Sequence, residues 1–173
     1  MPRDPERFPE TRCSVAVFRG DEVLLVRSTE DGHPVWKLPG GHVRADEGLI
    51  ACARRELREE TGLRVTALHC AVVLDIRDPR TGRCLVEIVL VPDEEIADRP
   101  RTCEPGREPY FVPMDDLPER DLRPSLENLL HDLRALHRNR TGEDAPAPAR
   151  PHGAGTVLLP VDAAAPPAAG RRR

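Results

Sequence analysis

A chain of 173 residues, 39% hydrophobic and 32% charged, has enough apolar side chains for one packed domain with tails. Its formal charge of -4 gives no attraction toward nucleic acid or an anionic membrane surface, so neither is expected as a partner. No stretch reaches the ~20 apolar residues of a spanning helix, and five cysteines without a Cys-x-x-Cys pair point to a reducing cytoplasm, not a disulfide framework.

Residues 1–12 are charged and Pro-rich, with no apolar leader, and read as a flexible lead-in. Residues 13–18 and 23–26 are β-rich runs joined by Arg19-Gly20-Asp21-Glu22, which predicts a hairpin. Residues 28–35, with Asp31-Gly32 and Pro34, are expected to form a loop. Leu38-Pro39-Gly40-Gly41 predicts a tight turn. A helix follows over 48–61, with Asp46 or Glu47 near its start and Gly62 just past its end. Residues 65–76 and 85–91 read as strands, the first with an interruption allowed, and residues 78–82 turn the chain between them. Phe111-Val112 adds a short strand, and Asp115-Asp116-Leu117 starts an irregular stretch. Ser125 is the expected N-cap of a last helix, whose Leu126, Leu129, Leu130, Leu133 and Leu136 follow helical spacing. From about Asn139 the composition shifts to Ala, Pro, Gly and Arg, the signature of an unstructured tail. Its one apolar island, 156–161, is read as linker, with packing on the domain or a partner as the alternative. The division is therefore a lead-in at 1–12, a domain at 13–138 and a tail at 139–173.

The predicted helix carries an arrangement that stability alone would avoid. At ~100° per residue, Glu60 lies about 40° from Glu56 and Glu59 about 60° to the other side. Three carboxylates thus share one face within a turn, at the helix end where the dipole disfavours negative charge. Leu49, Ile50, Ala53 and Leu57 form the expected apolar stripe. Glu60 falls inside that stripe and Glu56 at its border, whereas Arg54 and Arg58 point to solvent. A buried carboxylate needs a partner. Arg55, at the edge of this face, can neutralise one, and a hard divalent cation answers for the rest. Gly40-Gly41 lets backbone approach closely, and a carbonyl there can complete the shell.

Gly41, Glu47, Arg55, Glu56, Leu57, Glu59, Glu60, Gly62 and Leu63 match the signature Gly-x5-Glu-x7-Arg-Glu-U-x-Glu-Glu-x-Gly-U, where U is a bulky aliphatic, without a departure. This is the box of the Nudix hydrolases, and the preceding Trp36-Lys37-Leu38-Pro39-Gly40 is similar to that family's lead-in. The resemblance covers roughly residues 13–137. It implies an α/β fold, the Nudix-type α/β/α sandwich with a mixed β-sheet. It also implies hydrolysis of a phosphoanhydride bond in a nucleoside diphosphate linked to another moiety. By the same resemblance Glu56, Glu59 and Glu60 bind Mg²⁺ or Mn²⁺ with the Gly40 carbonyl, and Arg55 orients the glutamates. Glu47 pairs with Arg55, and Gly41, Glu47 and Gly62 are structural. Glu59 is the first candidate for general base. Some members place that base on a later loop, where Glu104 and Glu108 stand here. Family members are often homodimers, although no dimer stripe is evident.

Each residue also has a plainer reading. The glutamate cluster alone is an ordinary solvated helix face, and Arg55 alone an ordinary surface ion pair; only the full spacing lifts them. Arg27, Trp36 and Glu108 are candidate substrate contacts, against a strand-end arginine and a tryptophan packed under a loop. Pro79, sixteen residues beyond the box, resembles the ADP-sugar-cleaving subgroup, but a turn explains it as well. The six histidines show no ligand spacing with the cysteines. The partner is expected to be a small nucleotide or nucleotide sugar, and no DNA-binding domain is evident. Two other functions stay open: a catalytically silent nucleotide-binding sensor with the same fold, and a scaffold acting through the tail. The loops at 28–35, 75–83 and 93–109 would choose the substrate, and the sequence does not name it.

Overall fold

In a computed structural model, residues 9–77, 84–141 and 158–162 are described. Strand β1 (Glu10–Val15) runs in one sheet, and the chain then steps across at Ala16 and Val17 into β2 (Phe18–Arg19) of a second. The expected single run 13–18 is therefore divided between two sheets. The hairpin itself is present between β2 and β3 (Glu22–Glu30), with Phe18 opposite Val23 and Arg19 opposite Glu22.

The expected loop at 28–35 is a hairpin. Strand β3 runs on to Glu30 and β4 (His33–Lys37) returns after two residues, with Asp31 at φ 51° and Gly32 at φ 79°. Two left-handed residues match the right-handed twist of flanking strands, which is why Asp-Gly closes so tight a turn. Pro34 does not break β4, which lies at the rim of its sheet. Gly40-Gly41, expected as a turn, belongs to a short strand β5 (Gly40–His42) antiparallel to β1.

The first sheet is mixed, in the order β5-β1-β7-β6-β9, with β6 (Leu68–Arg77), β7 (Cys84–Pro92) and β9 (Leu158–Asp162). Strands β1 and β7 are parallel, and β6 and β7 antiparallel with a register shift between Cys70 and Val72. The interruption expected in 65–76 is this bulge. In the second sheet, β2, β4 and β8 (Glu108–Pro113) all pair with β3. The island at 156–161 coincides with β9, which pairs in parallel with β6. The turn at 78–82 with Pro79, and the remainder of the tail beyond Thr141, lie outside the described residues.

Helix α1 (Leu49–Thr61) starts after Gly48 and ends on Gly62, whose φ of 73° lets its N–H reach the Arg58 carbonyl. Helix α2 (Glu127–Thr141) begins later than expected, so Ser125 stands two residues before its first turn. Residues Met114–Glu119 form a 3-10 turn between β8 and α2.

Two apolar clusters lie on opposite faces of the strands. Cys13, Val15, Leu24, Ile88 and Leu90 pack with Cys52, Ala53 and Leu57 of α1. Ala16, Leu25, Leu74 and Val89 pack with Leu126, Leu130 and Leu133 of α2 and its approach. Burial on both faces explains why β7 reads as a near-continuous apolar run instead of alternating. Two parts of the expected stripes stay at the surface. Leu49 and Ile50 are exposed, because the buried face of α1 starts at Cys52, where the helix meets β1 and β5. Leu136 is exposed as well, three residues past the last buried leucine.

Candidate active site

The conflict in the helix pattern is resolved by burial. Glu60 is 1% exposed, inside the apolar face, and Thr61 beside it is buried too. Glu60 Oε2 accepts the Gly40 N–H at 2.9 Å, and Oε1 is paired with the Arg107 guanidinium. Burial pushes the Glu60 carboxyl up to about 7, against the opposing pull of Arg107 and the Gly40 amide.

Glu56 lies on Gly41. A Cβ built on Gly41 would run into the Glu56 carboxylate, and one on Gly40 would run into the Cys13 carbonyl and Ser14. The two glycines are needed for close approach, not for a left-handed backbone. Edge strand β5 therefore brings its unpaired side down on two carboxylates of α1.

Arg55 does more than neutralise one glutamate. Its side chain is 12% exposed, and its Nε and Nη2 fork onto Glu47 at 3.0 and 2.5 Å. Nη1 reaches Glu56 at 2.5 Å and Glu59 at 3.1 Å, and Nη2 donates to the His42 carbonyl at 3.3 Å. Hydrogen bonds from Arg55 hold the Glu47 carboxyl down to about 2, aided by the Arg44 amide. One planar cation thus ties the loop before α1 to two carboxylates of the helix. Glu59 is the most exposed of the three, at 42% of its side chain.

The remaining expected residues fall in two places. The Gly40 carbonyl lies on the free edge of β5 and accepts Arg12 Nη2 at 2.9 Å. Arg27, Trp36 and Glu108 meet side by side, since Arg27 is in register with Trp36 on one flank and Glu108 on the other. Arg27 pairs with Glu108 at 3.6 Å, Tyr110 donates to Glu108 at 3.1 Å, and the Trp36 and Tyr110 rings are 5.8 Å apart. Arg120 lies 5.0 Å from the Trp36 ring, which is half-buried. Glu108 thus belongs to an aromatic shelf, whereas Glu104 is joined to the carboxylate face through Arg107 Nε at 3.2 Å.

Three features escaped the sequence reading. Arg107 sits on the turn that Gly106 permits at φ 79°. Arg12 reaches Gly40 across the sheet. Glu87 is 2% exposed on β7, where Ser14 Oγ donates to its Oε1 and Oε2 has no partner among the described residues. The one signal for Glu87 was a charge inside an apolar strand. Burial pushes the Cys13 thiol up to about 12 and Cys52 up to about 11, so both stay protonated at neutral pH.

As the side chains stand, no three His, Cys, Asp or Glu groups converge on one point among the described residues. Arginines instead hold the carboxylates. The donor chemistry nevertheless suits a hard cation: three carboxylates and a carbonyl on a free strand edge, one carboxylate wholly buried.

Comparison with known proteins bears on the family and the fold. The sequence profile of the NUDIX domain matches residues 9–133. Phosphatase NudJ of Escherichia coli (strain K12) is 38% identical over 61 residues, 35% of this chain and 40% of that protein. The chain thus spans less than half the length of the curated relatives it matches. The MutT NUDIX hydrolase from Burkholderia pseudomallei superposes with a TM-score of 0.63 at 28% identity, over 72% of this chain and 98% of that one. The NUDIX domain of Shewanella oneidensis NrtR, complexed with ADP ribose, shares the fold at 19% identity, with a TM-score of 0.65 over 78% and 94% of the two chains.

Proposed function

The chain belongs to the Nudix family, and from that premise we propose that it hydrolyses a phosphoanhydride bond in a nucleoside diphosphate linked to a further moiety. The observation that carries the proposal is the Glu60 carboxylate, buried at the foot of an intact box and drawn to the free edge of β5.

Glu56, Glu59 and Glu60, with the Gly40 carbonyl, would hold Mg²⁺ or Mn²⁺. When bound, the cation neutralises diphosphate charge and lowers the pKa of the attacking water. The chain's own residues do the positioning. Arg55 holds Glu56 and Glu59 at a fixed spacing, and Glu47 locks Arg55 in turn, so the carboxylates meet the substrate pre-oriented. Glu59 is the candidate general base because it is the helix carboxylate most open to water. Arg27, Trp36 and Glu108 line the shelf beside the turn that carries Arg107. An aromatic pair flanked by a cation and an acceptor suits a nucleobase or sugar, which supports a nucleotide or nucleotide sugar as substrate. The likeness to NudJ, a phosphatase, supports a phosphoryl substrate. Five cysteines with no disulfide among them support a reducing, cytoplasmic setting.

The test is a phosphate-release screen over nucleoside triphosphates, ADP-ribose, NADH and dinucleoside polyphosphates, with and without Mg²⁺, and with Glu60→Gln as control. Metal-dependent cleavage lost in the variant supports the enzyme and names its substrate group. Ligand-induced thermal stabilisation without cleavage would turn the reading to a nucleotide-binding sensor.

A further inference from the structure

The two arginines at the carboxylate face are held very differently. Arg55 is enclosed, with bonds to three carboxylates and a backbone carbonyl. Arg107 is 41% exposed and makes two ion pairs among the described residues, one with Glu60 and one with Glu104 at 3.2 Å. It comes from outside the helix, on a turn closed by its own N–H to the Glu104 carbonyl at 3.1 Å and bent at Gly106. The turn lies outside both sheets, immediately before β8.

Each Glu60 oxygen already has a partner. Oε2 is committed to the Gly40 amide, and Oε1 to Arg107. A divalent cation at Oε1 would stand beside the Arg107 guanidinium, and the two positive charges repel one another at that distance. Yet Arg107 is well made for a different partner. Its planar fork matches a phosphate, and its position beside Glu108 places it between the carboxylate face and the aromatic shelf.

We propose that Arg107 is an exchangeable counter-ion: it competes with the divalent cation for Glu60 and, once displaced, binds a phosphate of the substrate. The inference rests on the reading of Glu60 as a cation ligand. It makes Arg107 a substrate-binding residue whose engagement depends on cation loading, with Glu104 moving on the same turn.

The experiment measures two affinities that must move in opposite directions. Binding of Mn²⁺ to the substrate-free protein is followed by the spin-resonance signal of free Mn²⁺. Binding of ADP, as the diphosphate probe, is followed by calorimetry at saturating Mn²⁺. Arg107→Gln should bind Mn²⁺ about tenfold more tightly, because one competing charge is gone, and bind ADP about tenfold more weakly. Arg107→Lys keeps the charge without the fork; it should leave Mn²⁺ affinity near wild type and still weaken ADP. Unchanged or weaker Mn²⁺ binding in Arg107→Gln would overturn the competition, and unchanged ADP binding the phosphate contact. Glu60→Gln separates the two levels: if it retains full Mn²⁺ affinity, the cation site itself is wrong, whatever Arg107 does.

Discussion

Gly41 and Glu56 are so close that a single added methyl group has no place: a Cβ on Gly41 would overlap the Glu56 carboxyl carbon and both its oxygens. Gly41→Ala should therefore push Glu56 off Arg55, lowering turnover by at least ~10-fold at little cost in stability, because only the end of the Glu56 side chain has to move. Gly48→Ala is the matched control, since its φ is -86° and nothing lies within 4 Å of its Cβ position. Equal turnover by the two variants would show that the box glycine is dispensable.

Glu56→Gln and Glu60→Gln should each reduce turnover by roughly 100-fold or more, about 3 kcal/mol of lost transition-state stabilisation, while the fold persists. Circular dichroism checks the second half of that statement. Near-normal turnover in either variant would remove the proposed cation site.

Stability in cation-free buffer should depend on pH through Glu60. Its carboxyl is raised from an ordinary 4.5 to about 7, chiefly by burial, so the folded protein holds that proton more tightly than the unfolded chain does. The resulting stabilisation is complete below 4.5 and is lost as pH rises through about 7. Melting temperature should fall over this window, and Glu60→Gln should lack that part of the slope. Glu47 acts with the opposite sign: Arg55 holds it down to about 2, so its contribution is present above 4.5 and is lost on acidification toward 2. Identical pH profiles for wild type and Glu60→Gln would contradict the assignment.

The box was legible because its residues are local. The 13 residues of one helix fix the spacing of Glu56, Glu59 and Glu60, and helical periodicity alone put Glu60 on the buried face. The hairpin at Gly20-Asp21 and the helix stop at Gly62 were equally local signals. What failed depended on distant partners. The step from β1 to β2 at Ala16-Val17 is invisible in a run where every residue from Cys13 to Phe18 is buried, since burial on both sides erases the alternation that marks a strand. Arg107 was missed because nothing in Glu104-Pro105-Gly106-Arg107 announces a contact 47 residues back along the chain. The Asp31-Gly32 turn is different: its signal was present and was outweighed by Pro34.

Ser14 and Glu87 offer a test of a buried pair that no motif contains. Ser14→Ala strips Glu87 of its hydrogen-bond donor and leaves a carboxylate enclosed without a partner, at a cost of about 1–3 kcal/mol in urea unfolding. Glu87→Gln removes the charge and keeps an acceptor, so its cost should be smaller. The reverse ranking would mean that the Glu87 charge itself is stabilising.

The pairing of β9 with β6 bears on how the molecule behaves at high concentration. Leu158 to Asp162 lie against Val73 to Arg77 and occupy the main-chain groups of that sheet edge. An uncovered edge is a template for a strand from another copy. A chain ending at residue 157 should turn over substrate normally per folded molecule but scatter more light on standing. The C-terminal segment then acts as a guard against self-association, protecting the colloidal state of a protein whose proposed site lies at the opposite margin of the same sheet, beside β5.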